Sequence, residues 1–227
     1  MLYKGNNVRN LIILVAVSML TACQSAPPTV QTGQGAEVTF DGLHRVDNSV
    51  VQYAWLKPDL SLAAYSKIKL VGAGIEYRAV RSANPATAGN RSEFPLTDQQ
   101  KMRLESVVAE VFQEELGNSK KYSLTSEEGP DVLELTGALI DVVSRVPPER
   151  AGRGDYYISS VGSATLVLEL RDSQSNEILA RAIDGQAFQS VYMQKSSSPH
   201  NAQEVKRGLR KWGRRLTEIL DQLHGGL

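Results

Sequence analysis

The chain has 227 residues, of which 22% are charged and 41% belong to the hydrophobic class. This composition is typical of a globular protein, and the length suits one or two domains. Because 25 basic residues balance 25 acidic ones, no overall field attracts nucleic acid, and we expect no nucleic-acid partner. The single cysteine, Cys23, excludes an internal disulfide.

The first 22 residues have the organisation of an export signal. Lys4 and Arg9 precede an apolar run at residues 11–20. A helix that spans a bilayer needs about 20 apolar residues, so this run is too short to remain as a membrane span. Its length and basic flank are those of the central segment of a signal peptide. We therefore predict that residues 1–22 are a signal peptide that is removed.

The end of this segment resembles the lipobox of bacterial lipoproteins, in which leucine and small residues precede the modified cysteine: Leu20, Thr21, Ala22 and Cys23. The resemblance implies transfer of diacylglycerol to the Cys23 sulfur and cleavage before this residue, often followed by N-acylation. A plain secretory signal with a chance cysteine is the alternative. One acyl chain anchors a protein only marginally, whereas the two or three chains of a lipoprotein would hold the domain at the membrane.

The residues after the cysteine bear on location and on domain boundaries. In enterobacteria an aspartate at this position tends to keep lipoproteins in the inner membrane, so by similarity Gln24 permits sorting to the outer membrane. We expect an outer-membrane lipoprotein whose domain faces the periplasm. Residues 25–38 are rich in Pro, Gly, Ser, Thr and Gln, a composition typical of a flexible linker. We accordingly expect an acylated tether at 23–39 and a single domain at 40–227.

The first half of this domain is predicted to contain a lead-in, a strand and a helix. We expect residues 40–65 to wrap the domain in short turns, and residues 66–77 to form the first full strand. Gly72 and Gly74 inside this strand indicate a bulge or close backbone packing. After a loop at 83–95, a capping box predicts a helix that begins at Thr97 and ends at Gly117.

The second half is predicted to consist of strands followed by a helix. The predicted elements are a short edge strand at 122–124, strands at 132–143, 158–171 and 177–188, and a helix from about 201 to 224. The second and third long strands are joined by a hairpin loop at 172–176, and Ser196–Pro199 should break the chain before the helix. Segregated strands and helices favour an α+β fold, in which a mostly antiparallel β-sheet carries two amphipathic helices on one face.

Two stretches resemble the DUF3313 family, bacterial lipoproteins of unknown function. They are VVQYAWLKPDLSLAAY at 50–65, which precedes a strand, and LELRDSQSNEILA at 168–180, an acidic turn with a Leu-Ala return. Together with the lipobox, the resemblance spans most of the chain. It implies no catalytic residue and leaves the function open. The layout is also similar to that of small periplasmic lipoproteins that assist envelope assembly or transport, which is an analogy of fold alone.

The sequence offers little evidence of catalysis or metal binding. Ser66 and Lys69 have the S-x-x-K spacing of penicillin-recognising serine enzymes. That chemistry needs the pair on a helix, whereas in a strand the two side chains point to opposite faces. His44, His200 and His224 have no neighbours at metal-ligand spacing. We therefore expect no catalytic residue, no metal and no cofactor.

The most suggestive surface is a basic face on the last predicted helix. Six cations lie within ten residues: Lys206, Arg207, Arg210, Lys211, Arg214 and Arg215. One hypothesis is contact with anionic headgroups, lipopolysaccharide phosphates or glycan. The alternative is a solvated face of a core-packed helix, whose charges pair with acidic neighbours.

A second candidate surface is the loop at 147–157, where a partner could contact Arg150, Arg153, Tyr156 and Tyr157. Its alternative is a mobile hairpin tip. We expect a lipid-anchored, non-enzymatic binding or accessory module of the cell envelope, whose partner would be an envelope protein, a lipid or a glycan. A carrier of a lipid or small hydrophobic ligand is the alternative, and it requires an apolar cavity of a few hundred Å³. An enzyme without a recognised motif would instead require a concave site with strongly perturbed titratable groups.

Overall fold

The computed structural model describes residues 26–80, 93–148 and 155–226. The strands in these ranges are β1 (Thr29–Val30), β2 (His44–Asp47), β3 (Tyr53–Leu56), β4 (Lys67–Tyr77), β5 (Ser123–Thr125), β6 (Val132–Ser144), β7 (Tyr157–Asp172) and β8 (Ile178–Lys195). The helices are α1 (Asp98–Leu116) and α2 (Ser198–His224). Outside the described residues lie the predicted signal peptide, the lipobox and part of the predicted partner loop, which include Leu20, Thr21, Ala22, Cys23, Arg150 and Arg153.

All the strands of the described ranges join one sheet in the order β1-β2-β3-β8-β7-β6-β4-β5. Most neighbours are antiparallel, but β4 pairs in parallel with both β5 and β6. The chain reaches β5 and β6 only after passing through α1, and parallel pairing requires a crossover of this kind. The prediction of a mostly antiparallel sheet with two helices is confirmed, whereas the parallel pairs at one edge are not predicted by the sequence pattern.

The long hairpin of β7 and β8 forms the centre of the sheet. Its turn is organised by Asp172, whose carboxylate accepts hydrogen bonds from the backbone N–H groups of Gln174 (3.0 Å) and Ser175 (2.7 Å). Asn176 completes the turn with a φ of 59°, a left-handed conformation that asparagine tolerates. Alternate residues of β7 between Ala164 and Leu170 are buried in the core, as the alternating pattern predicts.

Both helices pack against each other and against one face of the sheet, where a single cluster of buried side chains joins them. Its largest fully buried member is Trp212, whose ring meets that of Phe188 edge-on at 5.8 Å between centroids. Glycines allow α2 to come this close. A Cβ at Gly208 would lie 2.3 Å from the Phe188 ring, and one at Gly213 would lie 2.7 Å from Glu115.

Helix boundaries follow the capping residues. The capping box of α1 forms, since Thr97 Oγ1 accepts from Gln100 N (3.2 Å) and Gln100 Oε1 accepts from Thr97 N (2.8 Å), and Gly117 is the C-cap. Helix α2 begins earlier than predicted, because Ser197 caps it and Pro199 lies in its first turn, where a missing N–H costs no helical hydrogen bond. Neither described helix contains an apolar stretch long enough to cross a membrane.

The N-terminal part of the domain contains more sheet than its composition indicates. The lead-in contributes β2 and β3, which extend the sheet beyond β8. Within the predicted tether, Thr29–Val30 pairs with β2 and Val38 bridges to His44. Main-chain pairing with an edge strand needs no apolar side chains, so residues of this polar composition can join the sheet. The boundary between a tether at 23–39 and a domain at 40–227 stays a prediction. At the other end, β8 continues beyond its predicted boundary to Lys195.

Candidate functional site

A cleft of about 620 Å³ lies between α1 and the sheet, and we refer to it as the α1 cleft. Its floor lies where β4 and β6 pair through small residues, with Gly72 opposite Gly137 and Gly74 opposite Ala138. A Cβ on Gly72 or Gly74 would meet no atom within 4 Å. The space between helix and strand is therefore open at this point, because the floor carries almost no side chains.

The sequence predicts either a bulge or close backbone packing at Gly72 and Gly74, and the structure has the bulge. The register between β4 and β6 shifts between Gly72 and Gly74, which is the predicted bulge, and Gly74 has a φ of 98°, which disfavours any other residue. Close backbone packing, the other interpretation, is wrong, since both positions are exposed. The two glycines therefore predict the bulge from the sequence, but they do not predict a binding cleft.

The walls of the α1 cleft are mainly apolar. Helix α1 contributes Val108, Ala109 and Phe112, and the sheet side includes Leu139 and Leu166. The polar members of the lining are mostly exposed to solvent: Glu105, Gln113 and Ser126. An apolar interior with a few polar groups near solvent is the usual arrangement of a small-molecule site.

The lysine that lines the cleft is held in structural contacts. Lys69 lines it, but its ammonium group already contacts Glu128 (2.9 Å) and Glu134 (3.1 Å), and the hydrogen bonds to these carboxylates raise the pKa of Lys69. Burial, followed by the charge of Glu105, raises the pKa of Tyr77. Among the described residues, no group of carboxylate, imidazole or thiol side chains could hold a metal ion.

A second cleft, of about 350 Å³, lies between the C-terminal half of α2 and strands β3 and β8, and we refer to it as the α2 cleft. Its lining is almost entirely apolar and includes Val50, Leu216 and Leu220. Three charged residues line it, and all of them are paired. Asp184 contacts Arg215 at 3.1 Å, and Arg181 contacts Asp41 and Glu169 at 2.7 Å each. The domain is therefore not solid on its helical side, which meets the geometric requirement for a carrier.

The predicted basic face is largely neutralised. Four of its six cations form ion pairs with described residues: Lys206 with Glu110, Arg207 with Glu204, Arg210 with Glu114 and Arg215 with Asp184. The hydrogen bond from Lys206 lowers the pKa of Glu110. Lys211 and Arg214 are exposed and pair with no acidic residue in the described part of the chain. Contact with anionic headgroups stays a prediction, and it now depends on these two residues.

The described part of the predicted partner loop lies beside an apolar protrusion that the sequence pattern does not reveal. Tyr156 and Tyr157 are 38% and 59% exposed. Opposite them, β7 pairs Ile158 with Gln194 and Ser160 with Gln189. Four residues of β8 therefore face one residue of β7, and we call them the β8 bulge (residues 190–193). The sequence pattern predicts that β8 ends at residue 188, so it does not predict this bulge.

Comparison with known proteins gives the family. The family model described as "Protein of unknown function (DUF3313)" matches residues 34–216. The chain belongs to this family. Its membership confirms the resemblance found in the sequence. A search of curated proteins finds no match.

Solved structures align with this member of the DUF3313 family at low identity. Protein XCC0632 from Xanthomonas campestris is 14% identical with a TM-score of 0.42, covering 76% of this chain and 94% of that one. A protein from Helicobacter pylori, assigned as a homologue of a neuraminyllactose-binding hemagglutinin, is 14% identical (TM-score 0.39; 70% and 88% covered). A protein from Caulobacter crescentus, assigned as a lipoprotein, is 10% identical (TM-score 0.35; 74% and 95% covered). Such values support no conclusion about function.

Proposed function

We propose that this protein is a lipid-anchored, non-enzymatic binding module of the cell envelope that holds an apolar ligand in the α1 cleft. The observation that carries the proposal is the open, mainly apolar cleft of about 620 Å³ above a floor of small residues at Gly72, Gly74, Gly137 and Ala138. Protein interiors are otherwise close-packed, and pockets of a few hundred to about 1,000 Å³ are the usual size for small ligands. The cleft therefore favours a carrier over a module that acts only through its outer surface.

The shape and lining of the cleft define the ligand class. Val108 and Phe112 on the helix and Leu139 on the sheet offer contact to an acyl chain or a similar hydrophobe. Gln113 and Ser126 are exposed members of the lining, where a polar end group could form hydrogen bonds. An amphipathic lipid or another small hydrophobe with one polar end matches this distribution.

The anchor and the location are supported by the sequence. An apolar run too short to span a bilayer precedes the Leu20–Cys23 lipobox, and acylation of Cys23 would supply the chains that hold a domain at a membrane. Gln24 supports the outer membrane with the domain facing the periplasm. Metabolic palmitate labelling of the wild type beside Cys23→Ala tests the anchor, and label retained in the variant would refute it.

The cleft is tested by filling its floor. Gly72→Leu places a side chain into open space, since a Cβ there meets nothing within 4 Å. The matched control is Gly35→Leu, because Gly35 is exposed, lies outside the cleft and also has open space around its Cβ. Both variants should fold like the wild type, with equal circular dichroism.

Binding is measured by titration with Nile red, followed by displacement with palmitate. The wild type and Gly35→Leu should bind the dye and release it to palmitate. Gly72→Leu should lose affinity by about 10-fold or more, because the added side chain occupies the space in which the ligand would lie. Equal affinity in Gly72→Leu and the wild type, or no dye binding by any of the three proteins, contradicts the proposal.

A further inference from the structure

We infer that the β8 bulge is a second membrane contact, which inserts apolar side chains into the lipid surface that holds the Cys23 acyl chains. The inference rests on the proposed lipid anchor and is independent of the proposed ligand cleft. It assigns a role to a protrusion that neither the cleft nor the basic face uses.

The bulge projects because the two strands differ in length at this point. Between the pairs Ile158–Gln194 and Ser160–Gln189, β7 has one residue and β8 has four. Extra residues in one strand are left unpaired, and they bend that strand away from a regular ladder. Inside the bulge, Ser190 Oγ donates a hydrogen bond of 2.6 Å to the carbonyl of Tyr192, which helps to define its shape.

The exposed side chains of the bulge are apolar on three successive residues. Val191, Tyr192 and Met193 are 87%, 76% and 66% exposed. With Tyr156 and Tyr157 on the adjoining strand end, they make up five of the ten large apolar residues that are exposed in the described ranges. A concentration of this kind marks an interaction surface, whereas isolated exposed hydrophobic residues do not.

The chemistry of the bulge suits a lipid surface. No residue from Gln189 to Gln194 is charged, so insertion would not require a bare charge to be buried in lipid. The next cation, Lys195, pairs with Asp155 at 2.8 Å. Tyrosine is favoured at membrane interfaces because its ring is apolar and its hydroxyl can remain hydrated.

The short segment between Cys23 and β1 limits how far the domain can stand from the membrane. Strand β1 begins at Thr29, six residues after Cys23, and six extended residues reach at most about 20 Å. The side chain of Asn48 also hydrogen-bonds the carbonyl of Pro27 at 3.4 Å, which holds the start of the described chain against the domain. A domain held this closely meets the anchoring bilayer at a high effective concentration, so the lipid surface is the partner that we assign.

Depth-dependent quenching in the full-length lipidated protein tests the contact. Cys23 is the only cysteine of the chain, and acylation consumes its thiol, so Tyr192→Cys creates a single site for an environment-sensitive fluorophore. Gln174→Cys is the matched control, because Gln174 is exposed in the turn at the opposite end of the same two strands. Both proteins are reconstituted into phosphatidylethanolamine and phosphatidylglycerol vesicles, with and without lipids that carry a nitroxide on the acyl chain.

The emission maximum of the fluorophore at position 192 should shift to shorter wavelength, as expected of a group inserted at the membrane interface. The acyl-chain nitroxide should also quench about half of its emission or more. The fluorophore at position 174 should do neither. Equal quenching at both positions, or none at 192, overturns the contact. A wavelength shift at 192 without quenching also overturns it, because a protein surface or a second copy would then cover the bulge.

Vesicle flotation and palmitate labelling of the same samples separate this inference from the proposed function. Protein that is labelled and floats, but shows no quenching at 192, keeps its anchor and loses the bulge contact. Protein that is neither labelled nor floating overturns both. As a second readout, substitution of Val191, Tyr192 and Met193 by serine should speed transfer of the lipidated protein between vesicles several-fold, because one of two membrane contacts is removed.

Discussion

Tyr65 donates its hydroxyl to the carboxylate of Asp172 across 2.9 Å, which ties the end of the lead-in to the turn between β7 and β8. The carboxylate also accepts from Ser175 N at 2.7 Å, and this backbone hydrogen bond is the main reason for the lowered pKa of Asp172. Burial, and then the hydrogen bond to Asp172, raises the pKa of Tyr65 to about 12. The contact thus joins two segments that are distant in sequence, and it makes the free energy of unfolding depend on pH.

Tyr65→Phe should lower the free energy of unfolding by about 1–2 kcal/mol near neutral pH, since it removes one hydrogen bond to a charged acceptor at a half-buried position. The folded-state pKa is raised from 10 to about 12, so the contribution of the hydroxyl is fully present below pH 10 and is lost as the pH rises towards 12. Urea unfolding of the wild type and Tyr65→Phe across this pH range should show that the difference between their free energies of unfolding shrinks. Burial also raises the pKa of Tyr122 to about 12, but this residue is present in both proteins and affects them alike. A difference that stays constant with pH contradicts the prediction.

The contact between Gly208 and Phe188 gives a prediction about packing. Alanine is favoured over glycine in a helix by about 1 kcal/mol, but a Cβ at Gly208 would lie 2.3 Å from Cδ1 and 2.7 Å from Cε1 of Phe188. Overpacking costs about 1–3 kcal/mol, and so short a distance favours the upper part of that range. After the helix gain is subtracted, Gly208→Ala should destabilise the domain by about 1–2 kcal/mol in urea unfolding. The double variant with Phe188→Leu should recover part of that loss. Strict additivity of the two substitutions would contradict the proposed collision.

The elements that can be predicted from the sequence are those whose signals are local. The capping box at Thr97 and Gln100 and the turn at Asp172 lie within a few residues of the boundaries that they set. Strands β1, β2 and β3 lack such signals, because two to four residues are too few to show a period. Their pairing is non-local, as in the register of Trp55 with Arg181. The resemblance to the DUF3313 family predicts that the chain belongs to this family, but it does not predict the parallel pairing of β4 with β6.

The candidate site depends even more on non-local geometry. Gly72 and Gly137 are far apart in sequence, and only the register of β4 and β6 places them side by side beneath α1. The cations of the basic face can be read from the sequence, but their partners cannot. Glu110 and Glu114 are carried by α1, so their contacts with Lys206 and Arg210 exist only once the two helices pack together.

Asp184 joins three parts of the domain, and its removal should be costly. Its carboxylate accepts hydrogen bonds from Trp212 Nε1 (2.8 Å), Arg215 (3.1 Å) and Gln52 N (3.1 Å). Asp184→Ala leaves the indole N–H of buried Trp212 without this acceptor, which should cost about 1–3 kcal/mol. Asp184→Asn keeps an acceptor oxygen and should cost less.

Urea unfolding followed by circular dichroism measures both losses. In a Trp212→Phe background, where the N–H is absent, Asp184→Ala should cost clearly less than in the wild type, because the unsatisfied donor no longer contributes. An equal cost in the two backgrounds would show that the effect of Asp184 does not depend on the Trp212 hydrogen bond.

The cations of the basic face should differ in their effect on stability according to their partners. Lys211 and Arg214 pair with no acidic residue in the described ranges, whereas Arg210 lies 3.1 Å from Glu114 and 3.8 Å from Glu115. The double variant K211E/R214E should change the free energy of unfolding by about 0.5 kcal/mol or less, as expected of surface substitutions. R210E should cost more, because it replaces an ion pair by like-charge repulsion. The excess cost should shrink at about 1 M salt, where charges are screened within roughly 3 Å. Thermal unfolding at low and high salt checks both variants, and a salt-independent deficit in R210E would show that packing of the arginine stem, rather than its charge, stabilises the helix pair.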